Sequence, residues 1–249
     1  MSPGRGRPSA ATAGYARSVA AYRRGRPGYP QAAVDFLTAR LHLGPGRTVV
    51  DLAAGTGKLT SPLLATGADV VAVEPVAEMR AALPVGARAL DGTAEELPLN
   101  TGSADAVAVA QAFHWFDGDA ALAEIHRVLR PGGALALVWN RRRMDEPLNQ
   151  AIEELIAPYR GHMSTFRTGA WRAAFERTKL FGPLEERTFA NEQSLDADQL
   201  VDRIASVSFI ATLDEKERTK VLRGVRALAG PAGVTIHHDT EVQVADRLG

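Results

Sequence analysis

The chain has 249 residues, enough to bury a large core in a single α/β domain. Lys plus Arg and Asp plus Glu number 29 each, so no global charge draws the chain to nucleic acid. There is no cysteine, which excludes a disulfide framework, thiolate zinc sites and thiol catalysis. No apolar run reaches the ~20 residues that cross a bilayer, and no secretory leader follows Met1, so a soluble, cytoplasmic protein is expected.

Charge is unevenly placed at the start. Arg5, Arg7, Arg17, Arg23, Arg24 and Arg26 precede Val34 with no acid among them. Residues 1–14, rich in Gly, Pro, Ala and Ser, carry too little apolar bulk to pack and are expected to form a disordered basic arm. The rest, 15–249, reads as one domain in three parts: an N-terminal lid of helices (15–43), a nucleoside-binding core (44–140), and cap helices with C-terminal strands (141–249).

From Gly44 to Asn140, short apolar runs alternate with helical stretches, the pattern of a parallel sheet. The runs are Thr48–Asp51, Asp69–Glu74, Ala87–Leu90, Asp105–Ala110 and Ala134–Trp139, near-continuous as strands buried on both faces should be. Gly118–Arg130 is the clearest helix, with Leu122, Ile125, Val128 and Leu129 on one face and Pro131-Gly132-Gly133 as its stop. Beyond Asn140, helices are expected over Asp145–Tyr159, Trp171–Phe181, Asp196–Leu213 and Asp214–Ala229. Strands are expected at Leu184–Phe189 and Val234–Ala245.

The run Thr48–Asp51 turns through Gly55-Thr56-Gly57, and the next ends in Glu74. That is the layout of a nucleoside-binding βαβ unit, with a Gly turn at the ligand and a carboxylate for a ribose. A P-loop is excluded twice, by Leu52 at its first Gly position and by Leu59 after Lys58. A dinucleotide fingerprint lacks its third glycine, since Lys58-Leu59-Thr60 follows Gly57.

Asp51-Leu52-Ala53-Ala54-Gly55-Thr56-Gly57 resembles the D-x-G-x-G-x-G loop of class I S-adenosylmethionine-dependent methyltransferases. Gly92-Thr93-Ala94-Glu95-Glu96-Leu97-Pro98-Leu99 is similar to the adenine loop of their type 11 group. Ala123-Glu124-Ile125-His126-Arg127-Val128-Leu129-Arg130-Pro131-Gly132-Gly133 is similar to that group's helix and turn before the fifth strand. Tyr22-Arg23-Arg24-Gly25-Arg26-Pro27-Gly28-Tyr29-Pro30 and Gln111-Ala112-Phe113-His114-Trp115-Phe116 resemble a subgroup related to trans-aconitate methyltransferases. The resemblance implies a seven-stranded Rossmann-like sheet, mostly parallel with a reversed C-terminal strand. Asp145–Phe181 and Asp196–Ala229 would add a helical cap over the acceptor.

The resemblance also implies site residues. Asp51 would meet the cofactor ammonium, Gly55 and Gly57 would let the backbone approach, and Glu74 would hold the ribose. Pro75 would start the next helix, and Met79 lies within it. Thr93 and Ala94 would line the adenine, and Gln111 and Ala112 would border the sulfonium. Ala53 stands where the family has its first loop glycine and is tolerated if its φ is negative. Thr93 replaces an adenine-binding Asp, giving up a charge-assisted bond. Tyr22 and Arg26 would fold over the site, Arg26 reaching the cofactor carboxylate. Trp115 and Tyr29 would wall the acceptor. Arg141, with Arg142 and Arg143, would bind an acidic one. His114 is the candidate general base, with packing beside Trp115 as the alternative.

The implied reaction is methyl transfer from S-adenosylmethionine to a small molecule, at oxygen, nitrogen or carbon. Two readings stay open: a cofactor-binding protein without methyl transfer, and a nucleic-acid or protein methyltransferase using the basic arm. No Asn/Asp-Pro-Pro-Tyr/Phe motif follows the fourth strand, so nucleic acid is not the expected partner. No metal is expected, because His237 and His238 point to opposite faces of a strand. A monomer or homodimer is expected.

Overall fold

The computed structural model describes residues 19–161 and 168–249. The expected basic arm, residues 1–14, lies outside them. Seven strands form one sheet: β1 (Thr48–Leu52), β2 (Asp69–Val73), β3 (Arg88–Leu90), β4 (Ala104–Ala110), β5 (Leu129–Arg142), β6 (Glu185–Leu195) and β7 (Val234–Asp246). Their order is β3-β2-β1-β4-β5-β7-β6. The first five strands run parallel, and β7 runs antiparallel to β5 from Ala134↔Asp246 to Arg142↔His238. The Rossmann-like sheet and its reversed C-terminal strand are thus present.

The chain winds outward from β1 to β3, then returns to place β4 on the other side of β1. The carboxyl ends of β1 and β4 therefore border a switch point, where such sheets leave a crevice. Alternation sorts β1, β2, β4 and β5 into two cores. Val50, Leu52, Val107, Val109, Leu135, Leu137 and Trp139 face one side with Phe113 and Leu122. Val49, Val70, Ala106, Ala136 and Val138 face the other with Leu37 and Leu63.

The helix at Gly118–Val128 forms because Asp117 caps it, accepting the Ala120 N–H at 3.2 Å, and because Ala121, Leu122, Ile125 and Val128 are buried at helical spacing. It ends two residues before the expected Arg130. Leu129 turns extended ahead of Pro131 and pairs with Ala104, and the register then shifts so that Ala134 meets Ala106. Pro131-Gly132-Gly133 is thus a bulge inside β5 rather than a turn before it.

Two compact units divide the described residues. The sheet unit holds 27–142, 168–192 and 237–249. The helical unit holds 19–26, 143–161 and 193–236, with helices Val19–Gly25, Pro147–Ile156, Ala197–Ala205, Ser208–Ala211 and Glu215–Ala227. Within it, Gly25 lies so close to Ala197–Ala205 that a Cβ would sit 2.4 Å from the Arg203 nitrogen. The helical segments expected to act together do not all gather there. Arg172–Arg177 belongs to the sheet unit, where Trp171 packs edge-on and Phe175 tilted against Phe113, with ring centroids at 6.2 and 5.3 Å.

Candidate functional site

β1 delivers Asp51 to the crevice with its side chain fully buried. Its Oδ2 accepts the Thr60 hydroxyl at 2.5 Å, while Oδ1 has no partner. Burial pushes this carboxyl up to about 7, partly opposed by the Thr60 bond and reinforced by the Glu74 charge. A desolvated acid with an unspent oxygen favours a cation.

The Gly turn then doubles back. Gly57 N–H bonds Ala54 O at 3.0 Å, and Gly55 and Gly57 take φ of +59° and +85°. At Gly57 a Cβ would lie 2.4 Å from Pro84 Cδ, so both conformation and space require glycine. Ala53 differs from expectation, because its φ is +56° rather than negative. The left-handed bend is imposed by the loop, whose Ala54 N–H bonds Val73 O at 3.1 Å. The alanine methyl is strained there.

Glu74 directly follows β2, is buried, and holds the loop as well as facing it. Oε2 accepts the Gly55 N–H at 2.8 Å and Oε1 the Val76 N–H at 2.9 Å. Burial raises this carboxyl above its ordinary value, and the two backbone bonds hold it down. Each oxygen keeps a lone pair for a further donor. Pro75 does not start the next helix, which runs Ala77–Arg80 behind a Val76 cap; Pro75 is exposed and Met79 buried. The extended Val76 separates the two.

Thr93 is exposed and Ala94 buried in the following loop. Glu124 accepts the Leu97 N–H at 2.9 Å, and Arg127 donates to the Leu97 and Leu99 carbonyls at 3.1 and 2.8 Å. The helix Gly118–Val128 thereby clamps the loop, which gives the Glu124-Ile125-His126-Arg127 run a physical reason.

After β4, Gln111 takes φ +60°, an uncommon value for a non-glycine, with its N–H on Val138 O at 2.9 Å. Its side-chain Nε2 is buried without a partner. Ala112 leads into a 3-10 turn at Phe113–Trp115. The His114 ring lies 4.5 Å from Trp115 and 5.6 Å from Trp139.

The structure brings together Asp51, Ala53, Gly55, Gly57 and Glu74 around the loop, and Gln111 to Trp115 around the next. Tyr29 packs with the core on the opposite sheet face from Trp115. Arg26 and Tyr22 belong to the helical unit, where Arg26 donates to Ser206 Oγ at 3.1 Å and Ser206 O at 2.8 Å and stands over the Tyr22 ring. Arg141 is ion-paired with buried Glu241. Among the described residues, no group of three or more His, Asp or Glu could hold a metal, and no helix is long and apolar enough to cross a membrane.

Some site features were not foreseen. The Thr56 hydroxyl, between the two loop glycines, is buried without a partner. β7 contributes Glu241 and Gln243, both buried, with Gln243 Oε1 accepting the Trp139 Nε1–H at 3.1 Å. Nothing local in the sequence marks these two polar residues as buried; Glu241 lies opposite Trp139 in the β5–β7 pairing.

Unpartnered polar atoms of Asp51, Thr56 and Gln111 thus occur at the carboxyl ends of β1 and β4, and Glu74 adds a carboxylate with acceptor capacity at the end of the neighbouring β2. That donor set fits a ligand with an ammonium and vicinal hydroxyls, as S-adenosylmethionine has. Residues 50–137 match a family described as a methyltransferase domain. An uncharacterized methyltransferase of Mycobacterium tuberculosis is 43% identical over 86% of this chain and 84% of its own length. An uncharacterized methyltransferase-like protein of Schizosaccharomyces pombe is 35% identical over 82% and 80%. A solved structure from Anaeromyxobacter dehalogenans, provisionally named a type II methyltransferase, shares the fold with a TM-score of 0.66 at 22% identity, covering 89% of this chain and 97% of its own. The chain belongs to the S-adenosylmethionine-dependent methyltransferases.

Proposed function

We propose that this methyltransferase acts on a small molecule presented at the carboxyl ends of β4 and β5, beside the cofactor crevice of β1. The observation that carries the reading is that Asp51 Oδ1 in β1, Thr56 Oγ1 in the loop after it and Gln111 Nε2 just after the adjacent parallel β4 are all buried without a partner. Buried polar groups are nearly always paired, so orphans at the carboxyl ends of two adjacent parallel strands are suited to a ligand.

When bound, S-adenosylmethionine supplies an activated methyl group whose sulfur departs as a neutral thioether. The protein's task is then to hold two reactants in line in a dry site, which supplies on the order of 7 to 11 kcal/mol at best. Asp51 would hold the ammonium, and Glu74 would use its remaining lone pairs on the ribose. Ala53, Gly55 and Gly57 keep the backbone close. Met79, Thr93 and Ala94 would border the adenine, with Pro75 at the rim. Gln111 and Ala112 would flank the reacting methyl. His114 would take the acceptor's proton where one must leave.

Calorimetry with S-adenosylmethionine, repeated on Glu74→Ala, tests the cofactor half. Binding to the wild type and its loss in the variant are expected. The acceptor half is tested by S-adenosylhomocysteine release across a small-molecule panel. His114→Ala should slow an alcohol acceptor severely and a carboxylate only modestly; unchanged turnover removes His114 from the reaction.

A further inference from the structure

On the sheet face that carries Phe113 and Trp139, the loop after β4 packs on Trp139 of β5, which bonds through Gln243 of β7 to Glu186 of β6. Partly exposed His114 and Trp115 pack at 4.5 Å with their planes tilted by 42°, and Trp139 backs His114 at 5.6 Å with Trp171 5.5 Å further on. The backing ring is fixed. Trp139 Nε1–H bonds Gln243 Oε1 at 3.1 Å, and Gln243 Nε2 donates to Glu186 Oε2 at 2.7 Å. A rigid wall of tilted aromatic rings, with the Trp115 face partly exposed, matches a flat ring better than a branched or flexible chain.

The charges beside this stack cancel in pairs. Arg141 is bonded to Glu241, whose side chain is 7% exposed. Arg172 is bonded to Glu186 at 3.0 Å. A carboxylate arriving here would face two cations already matched and a buried anion it must approach. Separately, the Gln111 amide offers a buried donor with no acceptor. Placed three residues before His114, it calls for an oxygen on the ligand.

We propose that the acceptor is an uncharged, flat, conjugated molecule bearing a hydroxyl, which stacks on Trp115 and His114 and gives its oxygen to the Gln111 amide. The inference rests on the proposed small-molecule reading, and it replaces Arg141 as an anchor for an acidic acceptor. Gln111 sets specificity by its donor, and Trp115 by its ring.

The test is calorimetry on the full chain saturated with S-adenosylhomocysteine, using 2-naphthol and 2-naphthoate as matched probes at pH 7. Naphthol should bind at least tenfold more tightly than naphthoate. Trp115→Ala should weaken naphthol tenfold or more. Gln111→Asn, which tolerates the left-handed backbone but shortens the donor, should weaken naphthol severalfold and leave naphthalene itself unchanged. Equal or tighter binding of naphthoate overturns the proposal, as does an absence of naphthol binding while S-adenosylhomocysteine still binds. Failure of S-adenosylhomocysteine to bind would overturn the cofactor reading instead, and this inference with it.

Discussion

Glu74 Oε2 accepts the Gly55 backbone N–H at 2.8 Å, so the carboxylate that faces the crevice also pins the loop that lines it. Its second oxygen fixes Val76 at 2.9 Å. One buried group therefore ties the turn after β1 to the turn after β2. Glu74→Gln offers a single acceptor oxygen and sets an NH2 against a backbone N–H. It should lose about 1–3 kcal/mol of stability with no ligand present. Urea unfolding of the ligand-free chain checks this; an unchanged midpoint means the carboxylate serves only the ligand.

Gly57 and Gly28 should respond differently to the same change. A Cβ at Gly57 would meet Pro84 Cδ at 2.4 Å, on a backbone with φ +85°, whereas nothing lies within 4 Å of one at Gly28. Gly57→Ala is expected to cost about 2 kcal/mol or more and to weaken S-adenosylmethionine binding at least tenfold. Gly28→Ala should stay within about 0.5 kcal/mol of the wild type. Thermal melts and calorimetry on both variants make the comparison.

Much of this architecture was legible in the residues. Strands β1, β2 and β4 are apolar runs buried on both faces, so periodicity and length were enough. β6 was harder. The strand expected at Leu184–Phe189 runs on through Ala190-Asn191-Glu192-Gln193 to Leu195, a polar stretch of an edge strand whose residues largely face solvent. At the site, residue types were readable but conformations were not. Nothing local says that Ala53 bends left-handed, because the cause is a bond from Ala54 to β2. Likewise, Arg141 looked like a free cation because its partner, Glu241, is far away in sequence and meets it only through the β5–β7 pairing.

Asp51 gives the protein a pH signature. Its unfolded carboxyl titrates near 3.8 and its native one near 7, so between these values the native state holds a proton the unfolded state lacks. Stability must therefore fall as pH rises through that window and level off above it. At about 1.4 kcal/mol per pH unit between the two values, the loss attributable to Asp51 is at most about 4 kcal/mol. Asp51→Asn keeps a partner for Thr60 and removes the titration. Its stability relative to the wild type should rise from pH 5 to pH 8, as read by urea unfolding without ligand. Parallel profiles would show that Asp51 does not carry the proton. A bound ammonium favours the ionised form, so the wild type's affinity for S-adenosylmethionine should increase over the same range.

Ala53 offers a stabilising change at the edge of the site. Its φ of +56° places a Cβ against the neighbouring carbonyl, a conformation that costs an L-residue about 1–2 kcal/mol. Glycine removes that cost but adds roughly 0.4–1 kcal/mol of chain entropy to the unfolded state. The balance favours Ala53→Gly by about 0.5–1 kcal/mol. Ala53 is only partly buried, so the lost methyl gives back little packing. The hydrogen bonds that shape the loop, Ala54 to Val73 and Gly55 to Glu74, are both made by backbone N–H groups and survive the change. Affinity for S-adenosylmethionine should therefore hold within about twofold, or roughly 0.4 kcal/mol, while the melting temperature rises. A lower melting temperature would show that the loop relaxes around Ala53 at no cost, and that the left-handed bend is not a source of strain.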